Sequence, residues 1–227
     1  MPPAAGPAPH LGLPTRRNGV WYPMQLLLRV VFAVWLRYRA RGVRRLSTPG
    51  GGLILSNHQS FLDPLLIGLP LDRPVSYLAR DTLFRIPGLS WLLRHTYVMP
   101  INRENASTAS LRETLRRLNE GFFVGVFPEG TRSSDGSVGT FKPGFAALGR
   151  RADVPIFPVG IAGANRALGR RHWWLRPCRV CVVFGEPLDA QEIAHVSARG
   201  REAELIELVR QRIIACQAEA EVWLQQR

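Results

Sequence analysis

Apolar positions along the chain fall into short blocks and into longer stretches with helical period. The short blocks are Leu53 to Leu55, Val75 to Ala79, Tyr97 to Arg103, Phe122 to Phe127, Val154 to Ile161 and Val180 to Phe184. They have strand length, and glycine or proline bounds several of them. Helical stretches lie between them. Leu111, Leu115 and Leu118 recur at i, i+4 and i+7 over Ser107 to Glu120, with Gly121 as the stop. Arg112, Arg116 and Arg117 are expected on the wet face of that helix. Glu202 to Trp223 sets Leu205, Leu208, Val209, Ile213, Cys216, Ala220 and Trp223 on one face, a helix expected to close the core. Shorter helices are expected over Leu65 to Leu69, ended by Pro70, and from Pro143 through Leu148. Pro155 and Pro158 cannot donate to a ladder, so their strand is expected at a sheet edge, or to hold them at a strand end. The alternation predicts an α/β fold: a mixed, largely parallel central sheet flanked by helices, with ligands at the carboxyl ends of the strands.

Val20 to Leu36 is the most apolar stretch, broken by Gln25 and Arg29. A bilayer crossing takes about 20 predominantly apolar residues, and an arginine near the middle is costly, so a full span is disfavoured. Trp21, Tyr22 and Trp35 stand near its ends as interfacial anchors would. Arg37, Arg39, Arg41, Arg44 and Arg45 follow at once, a cluster suited to anionic head groups. The expectation is an N-terminal membrane-associating helical segment lying in one leaflet. An ordinary core helix with a basic carboxyl end is the alternative. Met1 to Arg17, rich in Pro, Ala and Gly, lacks the apolar centre of a signal peptide and is expected to be a flexible tail.

The 227 residues suffice for one sizeable core, and their net charge of +13 implies an anionic partner. Nucleic acid, an anionic bilayer and phosphorylated substrates all qualify. No recognition helix or base-stacking sheet is legible, which disfavours nucleic acid. Arginine supplies almost all of the positive charge, Lys142 being the only lysine. Cys178, Cys181 and Cys216 are too few and too uneven for a disulfide framework, which fits a reducing cytosolic face. Cys178 and Cys181, with His172 as a third ligand, fall short of the four that structural zinc needs. Arg166 to Arg176, with Arg170, Arg171, His172, Trp173 and Trp174, reads as a basic, aromatic loop able to dock on lipid.

The chemistry concentrates where the Leu53 to Leu55 block gives out, in Ser56-Asn57-His58-Gln59-Ser60-Phe61-Leu62-Asp63-Pro64. On a regular helix five positions separate two side chains by about 140 degrees, so His58 and Asp63 need a turn between them to meet. Pro64 favours the first helical position and Asp63 is a good N-cap, so a helix starting there leaves room for that turn. An imidazole oriented by a carboxylate can take a proton from a hydroxyl. The plainer alternative makes Asn57, Ser60 and Asp63 turn and cap residues and His58 the filling of a polar gap. A second cluster, Phe127-Pro128-Glu129-Gly130-Thr131-Arg132-Ser133, ends another strand and offers backbone amides, a hydroxyl and charge. Glu129 would repel a phosphate and is expected to orient Arg132 or neighbouring amides.

Asn57-His58 with Asp63, then Phe127 to Ser133, then Val154-Pro155-Ile156-Phe157-Pro158-Val159-Gly160-Ile161, in that order, resembles the lysophosphatidic acid acyltransferase (1-acylglycerol-3-phosphate O-acyltransferase) family over about Leu53 to Leu188. The resemblance implies transfer of a fatty acyl group from a thioester, acyl-CoA or acyl-carrier protein, to the free hydroxyl of a lysophospholipid at a membrane surface, with no further cofactor. It makes His58 the base and Asp63 its orienter. It assigns acceptor binding to Glu129, Gly130, Thr131 and Arg132, and the Val154 to Ile161 strand to the acyl donor or chain. Arg80, where relatives often carry lysine, and Arg103, which matches, are expected at the acceptor phosphate, with Lys142 in reach. Relatives often have glycine near Tyr97 and no proline in that strand. The implied layout is a tail over 1–17, the membrane segment over 18–45 and an acyltransferase domain over 46–227, at the cytoplasmic face of the membrane. Other acceptors of the same kind, glycerol 3-phosphate or a lyso-aminolipid among them, stay open, as do a thioester hydrolase and a non-catalytic basic membrane or nucleic-acid binding protein.

Overall fold

A computed structural model describes residues 18–101, 108–151, 153–169, 174–196 and 201–226. Helix α1 (Trp21–Trp35) leads into strand β1 (Arg39–Arg41), a 3-10 turn, β2 (Gly52–Ser56) and α2 (Asp63–Gly68). Then come β3 (Val75–Arg80), a second 3-10 turn, α3 (Pro87–His95), β4 (Met99–Ile101), α4 (Thr108–Asn119) and β5 (Phe123–Val126). The chain finishes with α5 (Gly144–Arg151), β6 (Ile156–Ala162), α6 (Ala164–Leu168), β7 (Cys181–Phe184), α7 (Ala190–Val196) and α8 (Glu202–Gln225). One sheet runs β1-β7-β6-β2-β5-β3-β4, parallel throughout except where β6 meets β7. This is the expected mixed, largely parallel sheet.

Both faces of the sheet are covered, so its central strands carry continuous apolar runs rather than alternating patterns. Ile54 faces a layer containing Phe32, Leu36, Leu62 and Leu66, from α1, α2 and the residues that flank them. Its neighbours Leu53 and Leu55 face the opposite layer, with Leu118, Phe145, Leu205, Val209 and Ile213 from α4, α5 and α8. Helix α8 lies directly on β6. A Cβ on Gly160 would fall 2.1 Å from the Gln217 nitrogen, so only glycine permits that approach.

Strand β6 is interior, between β2 and β7, so of the two placements that its prolines suggest, sheet edge or strand end, the edge does not hold. Pro155 precedes the strand. Pro158 accepts from the Gly185 amide at 2.8 Å, just past the end of β7, so its missing N–H falls where that ladder has run out. All seven residues of β6 are buried in sheet packing.

Arg117 is the second departure. It is 5% exposed rather than on the wet face, because it shares the inward stripe of α4 with buried Thr114 and Leu118. Its Nη1 donates to Ser76 Oγ at 2.6 Å and to the Tyr97 carbonyl at 2.7 Å, and its Nε to Glu113 at 3.0 Å. Tyr97, near which relatives carry glycine, takes φ of 64° and is itself buried.

The amino-terminal α-helix, Trp21–Trp35, falls on the apolar stretch, and beyond it Arg39–Arg41 pair with Cys181, Val182 and Val183 at the sheet edge. In α1 Gln25 faces inward and is buried, while Arg29 is exposed and reaches the Leu69 carbonyl from the rim. Gln25 Nε2 donates to the carbonyls of Leu69 and Leu71, both at 2.8 Å, and Arg29 Nε to Leu69 at 3.4 Å, which satisfies backbone groups at the carboxyl end of α2. Trp21 and Phe32 pack inward, but a second apolar face points out: Val34 is 74% and Leu27 64% exposed, with Tyr22, Leu26, Val30 and Trp35 beside them. Among the described residues no helix is long and apolar enough to cross a membrane. Arg103, residues 1–17 and residues 170–173 lie outside the described set.

Replacing Arg117 by Met orphans the Ser76 hydroxyl and the Tyr97 carbonyl in a buried site, at a cost of about 2–3 kcal/mol. Arg112→Met, on the exposed face of the same helix, should change stability by less than about 0.5 kcal/mol. Urea denaturation of the two variants is the measurement.

Candidate active site

Two loops leave the sheet at the carboxyl ends of the neighbouring strands β2 and β5, and they carry the site between them. The first is clipped down by Asn57, which is fully buried. Its Nδ2 donates to the Ile161 carbonyl at 2.9 Å and its Oδ1 accepts from the Ile161 amide at 2.8 Å, as a further strand residue would. Asn57 is therefore more than the turn residue its sequence context implies. Ser60 Oγ adds a tether to the Leu168 carbonyl at 2.7 Å.

His58 and Asp63 meet across the turn, with Nδ1 and Oδ2 at 2.7 Å. The helix does begin at Asp63, but the carboxylate does not cap it. It points backward instead: Oδ2 also accepts from the amides of Gln59 at 2.7 Å and Ser60 at 2.8 Å. Burial raises the Asp63 carboxyl above the usual carboxylate range, while the His58 ring and those two amides pull it back down. An ionised carboxylate only accepts, so Nδ1 carries the ring proton and Nε2 keeps a lone pair. The ring is seated on Phe127, with centroids 4.1 Å apart and planes 17° from parallel, and its side chain stays 19% exposed. Phe127, quoted only as part of a motif, thus forms the floor under His58.

Glu129 binds the two loops together. Its Oε1 accepts from the His58 amide at 3.0 Å and its Oε2 from the Gly139 amide at 3.2 Å. Of the two roles expected for it, orienting neighbouring amides is the one these bonds perform. Burial raises its carboxyl and the two amides lower it. The Ser133 amide completes the join by donating to the His58 carbonyl at 2.7 Å. Gly130 takes φ of 69°, and a Cβ there would stand 3.0 Å from Lys142 Cε, so the lysine stem lies across the glycine. Thr131 is exposed beside it. The Arg132 guanidinium carbon sits 3.3 Å from the ring centroid of Phe61, a residue of the first turn that no sequence pattern singles out. Arg80 ends β3 at this same edge of the sheet, on the far side of β5. Of the cations expected here, Arg132 and Lys142 are thus packed into the second loop, and Arg80 shares its edge. Away from the site, Cys181 is buried in β7 and Cys178 Sγ lies 3.7 Å from the Gly163 carbonyl.

Comparison with known proteins bears on this arrangement. Residues 37–162 match the family model described as Acyltransferase. The 1-acyl-sn-glycerol-3-phosphate acyltransferase of Bacillus subtilis is 26% identical over 187 residues, covering 82% of this chain and 91% of the relative. The human 1-acyl-sn-glycerol-3-phosphate acyltransferase beta is 39% identical over 131 residues, 55% of this chain but only 46% of that longer protein. The crystal structure of the 1-acyl-sn-glycerophosphate acyltransferase from Thermotoga maritima superposes with a TM-score of 0.73 at 25% identity, over 90% of this chain and 80% of that one. With the family model spanning more than half of its length, the chain belongs to the acyltransferase family and is an acyltransferase.

Proposed function

We propose that the enzyme moves a fatty acyl group from an acyl thioester to the free hydroxyl of 1-acylglycerol 3-phosphate, giving phosphatidic acid at a membrane surface. The observation that carries this reading is the 2.7 Å contact of His58 Nδ1 with a carboxylate that is itself held by two amides. It leaves Nε2 with a free lone pair on a side chain that stays 19% exposed. Nε2 takes the proton from the acceptor hydroxyl as the oxygen attacks the thioester carbonyl. Asp63 steadies the imidazolium that forms. Collapse of the tetrahedral intermediate expels the thiolate, to which the imidazolium returns the proton, so neither a serine nor a cysteine nucleophile is needed. Acyl-CoA or acyl-carrier protein serves as donor, and no further cofactor enters this scheme.

Arg132, Lys142 and Arg80 supply the charge for the acceptor's phosphate, and Arg103 belongs with them by its place in the sequence. Holding the acceptor by its phosphate lets binding energy offset part of the entropic barrier. Gly130 leaves room for the Lys142 stem to cross it, and the exposed Thr131 offers a hydroxyl.

The outward apolar face of α1, with Tyr22 and Trp35 near its ends, supports a peripheral position in one leaflet, and the adjacent arginines fit an anionic head-group layer. The proposed location is the cytoplasmic face of the membrane, where acyl thioesters are found in solution and the acceptor in the bilayer.

His58→Ala should lower turnover by at least about a hundredfold, and Asp63→Asn by a similar order, with far-ultraviolet circular dichroism unchanged. Wild-type turnover in both variants would sink the mechanism. Mass spectrometry of products from one labelled acyl thioester and a panel of lysophospholipids, glycerol 3-phosphate and water identifies the acceptor. A free fatty acid as the sole product would mark a hydrolase instead.

The double variant Leu27→Glu/Val34→Glu leaves the core untouched because both side chains are mostly exposed. It should shift sedimentation with anionic vesicles from largely bound to largely free, while duplex DNA at physiological salt stays unbound in parent and variant alike. Unchanged vesicle binding would remove α1 as the membrane contact.

A further inference from the structure

Phe61 lies between His58 and Asp63 in the turn that carries both, yet its ring is 59% exposed and joins none of the buried clusters. Core packing therefore does not account for an aromatic residue at this position. What covers the ring is Arg132, whose guanidinium carbon stands 3.3 Å from the centroid. At that separation the two planar groups must lie nearly parallel, since a tilted guanidinium would overlap the ring. Arg132 comes from the other loop, the one joined to this turn through the Ser133 amide and the Glu129 carboxylate.

A stacked guanidinium keeps its N–H edge free of the ring, and the ring face restricts where the long side chain can go. We propose that Phe61 is a positioning residue for Arg132: its ring is the platform that lays the guanidinium flat and turns its N–H edge toward the acceptor's phosphate. This deepens the acceptor reading given above and rests on it. The same stack links the turn bearing the base to the loop bearing the phosphate contact, so anion and hydroxyl are presented in one register.

The test is steady-state kinetics with 1-acylglycerol 3-phosphate at saturating acyl-CoA for Phe61→Leu, Phe61→Tyr, Phe61→Trp, Arg132→Ala and the double variant Phe61→Leu/Arg132→Ala. Leucine keeps apolar bulk without a π face, and the exposed position leaves no cavity behind. Thermal melting confirms that each variant is folded. Phe61→Leu should raise the acceptor KM about three- to fivefold, the size of a surface cation–π contact, with kcat within about twofold. Phe61→Tyr and Phe61→Trp should stay within about twofold of the parent in both constants. Once Arg132 is alanine, Phe61→Leu should have no further effect. A parent-like KM in Phe61→Leu, a fall in kcat alone, or an equal rise in KM in the Arg132→Ala background overturns the proposal. An unchanged KM in Arg132→Ala itself instead overturns the acceptor role of Arg132, so the two failures are told apart.

Discussion

One buried oxygen organises this site. Asp63 Oδ2 accepts from the His58 ring and from the amides of Gln59 and Ser60, all within 2.8 Å. A carboxylate in an apolar interior is costly unless donors converge on it, and here the donors are the turn that it closes. The bonds that make the charge tolerable therefore also set the turn's shape and fix which imidazole nitrogen is protonated. Folding and chemistry draw on the same contacts, and this is why a six-residue segment can both bend the chain and orient a base.

Around that oxygen the structure adds layers of restraint from further along the chain. Asn57 grips β6, Glu129 grips the His58 amide, and Phe127 lies beneath the ring. Asn57 reaches to β6, while Glu129 and Phe127 both come from the loop after β5 at the same edge of the sheet. In a parallel sheet the loops at that edge all open on one side, so residues 104 positions apart, such as Asn57 and Ile161, meet without any long excursion of the backbone.

How much of this could be read beforehand follows from the same distances. His58 and Asp63 are five apart, and the turn between them was legible from a proline and a capping residue. Strands and helices were legible from period, because burial on two faces leaves continuous apolar blocks and one-sided burial leaves stripes. Arg117 was not: a helical wheel marks it as polar, and nothing local reveals a serine 41 residues away to receive it. Gln25 looked like a flaw in an apolar helix, since its acceptors are the carbonyls of Leu69 and Leu71. Pro158 argued for an edge because sequence does not tell on which side a neighbouring ladder has ended. Local chemistry is written locally, and the partner of a buried polar group is not.

The grip of Gln25 on α2 has a wider consequence. Asp63 opens that helix and Gln25 holds its far end, so about 9 Å of rigid backbone connects the carboxylate to α1. If α1 rests in a leaflet, the height of the imidazole above the lipid is set by a strut rather than by a flexible tether. The bilayer then acts as a ruler: alcohols anchored near its surface arrive at the right level, and those free in water gain no such alignment.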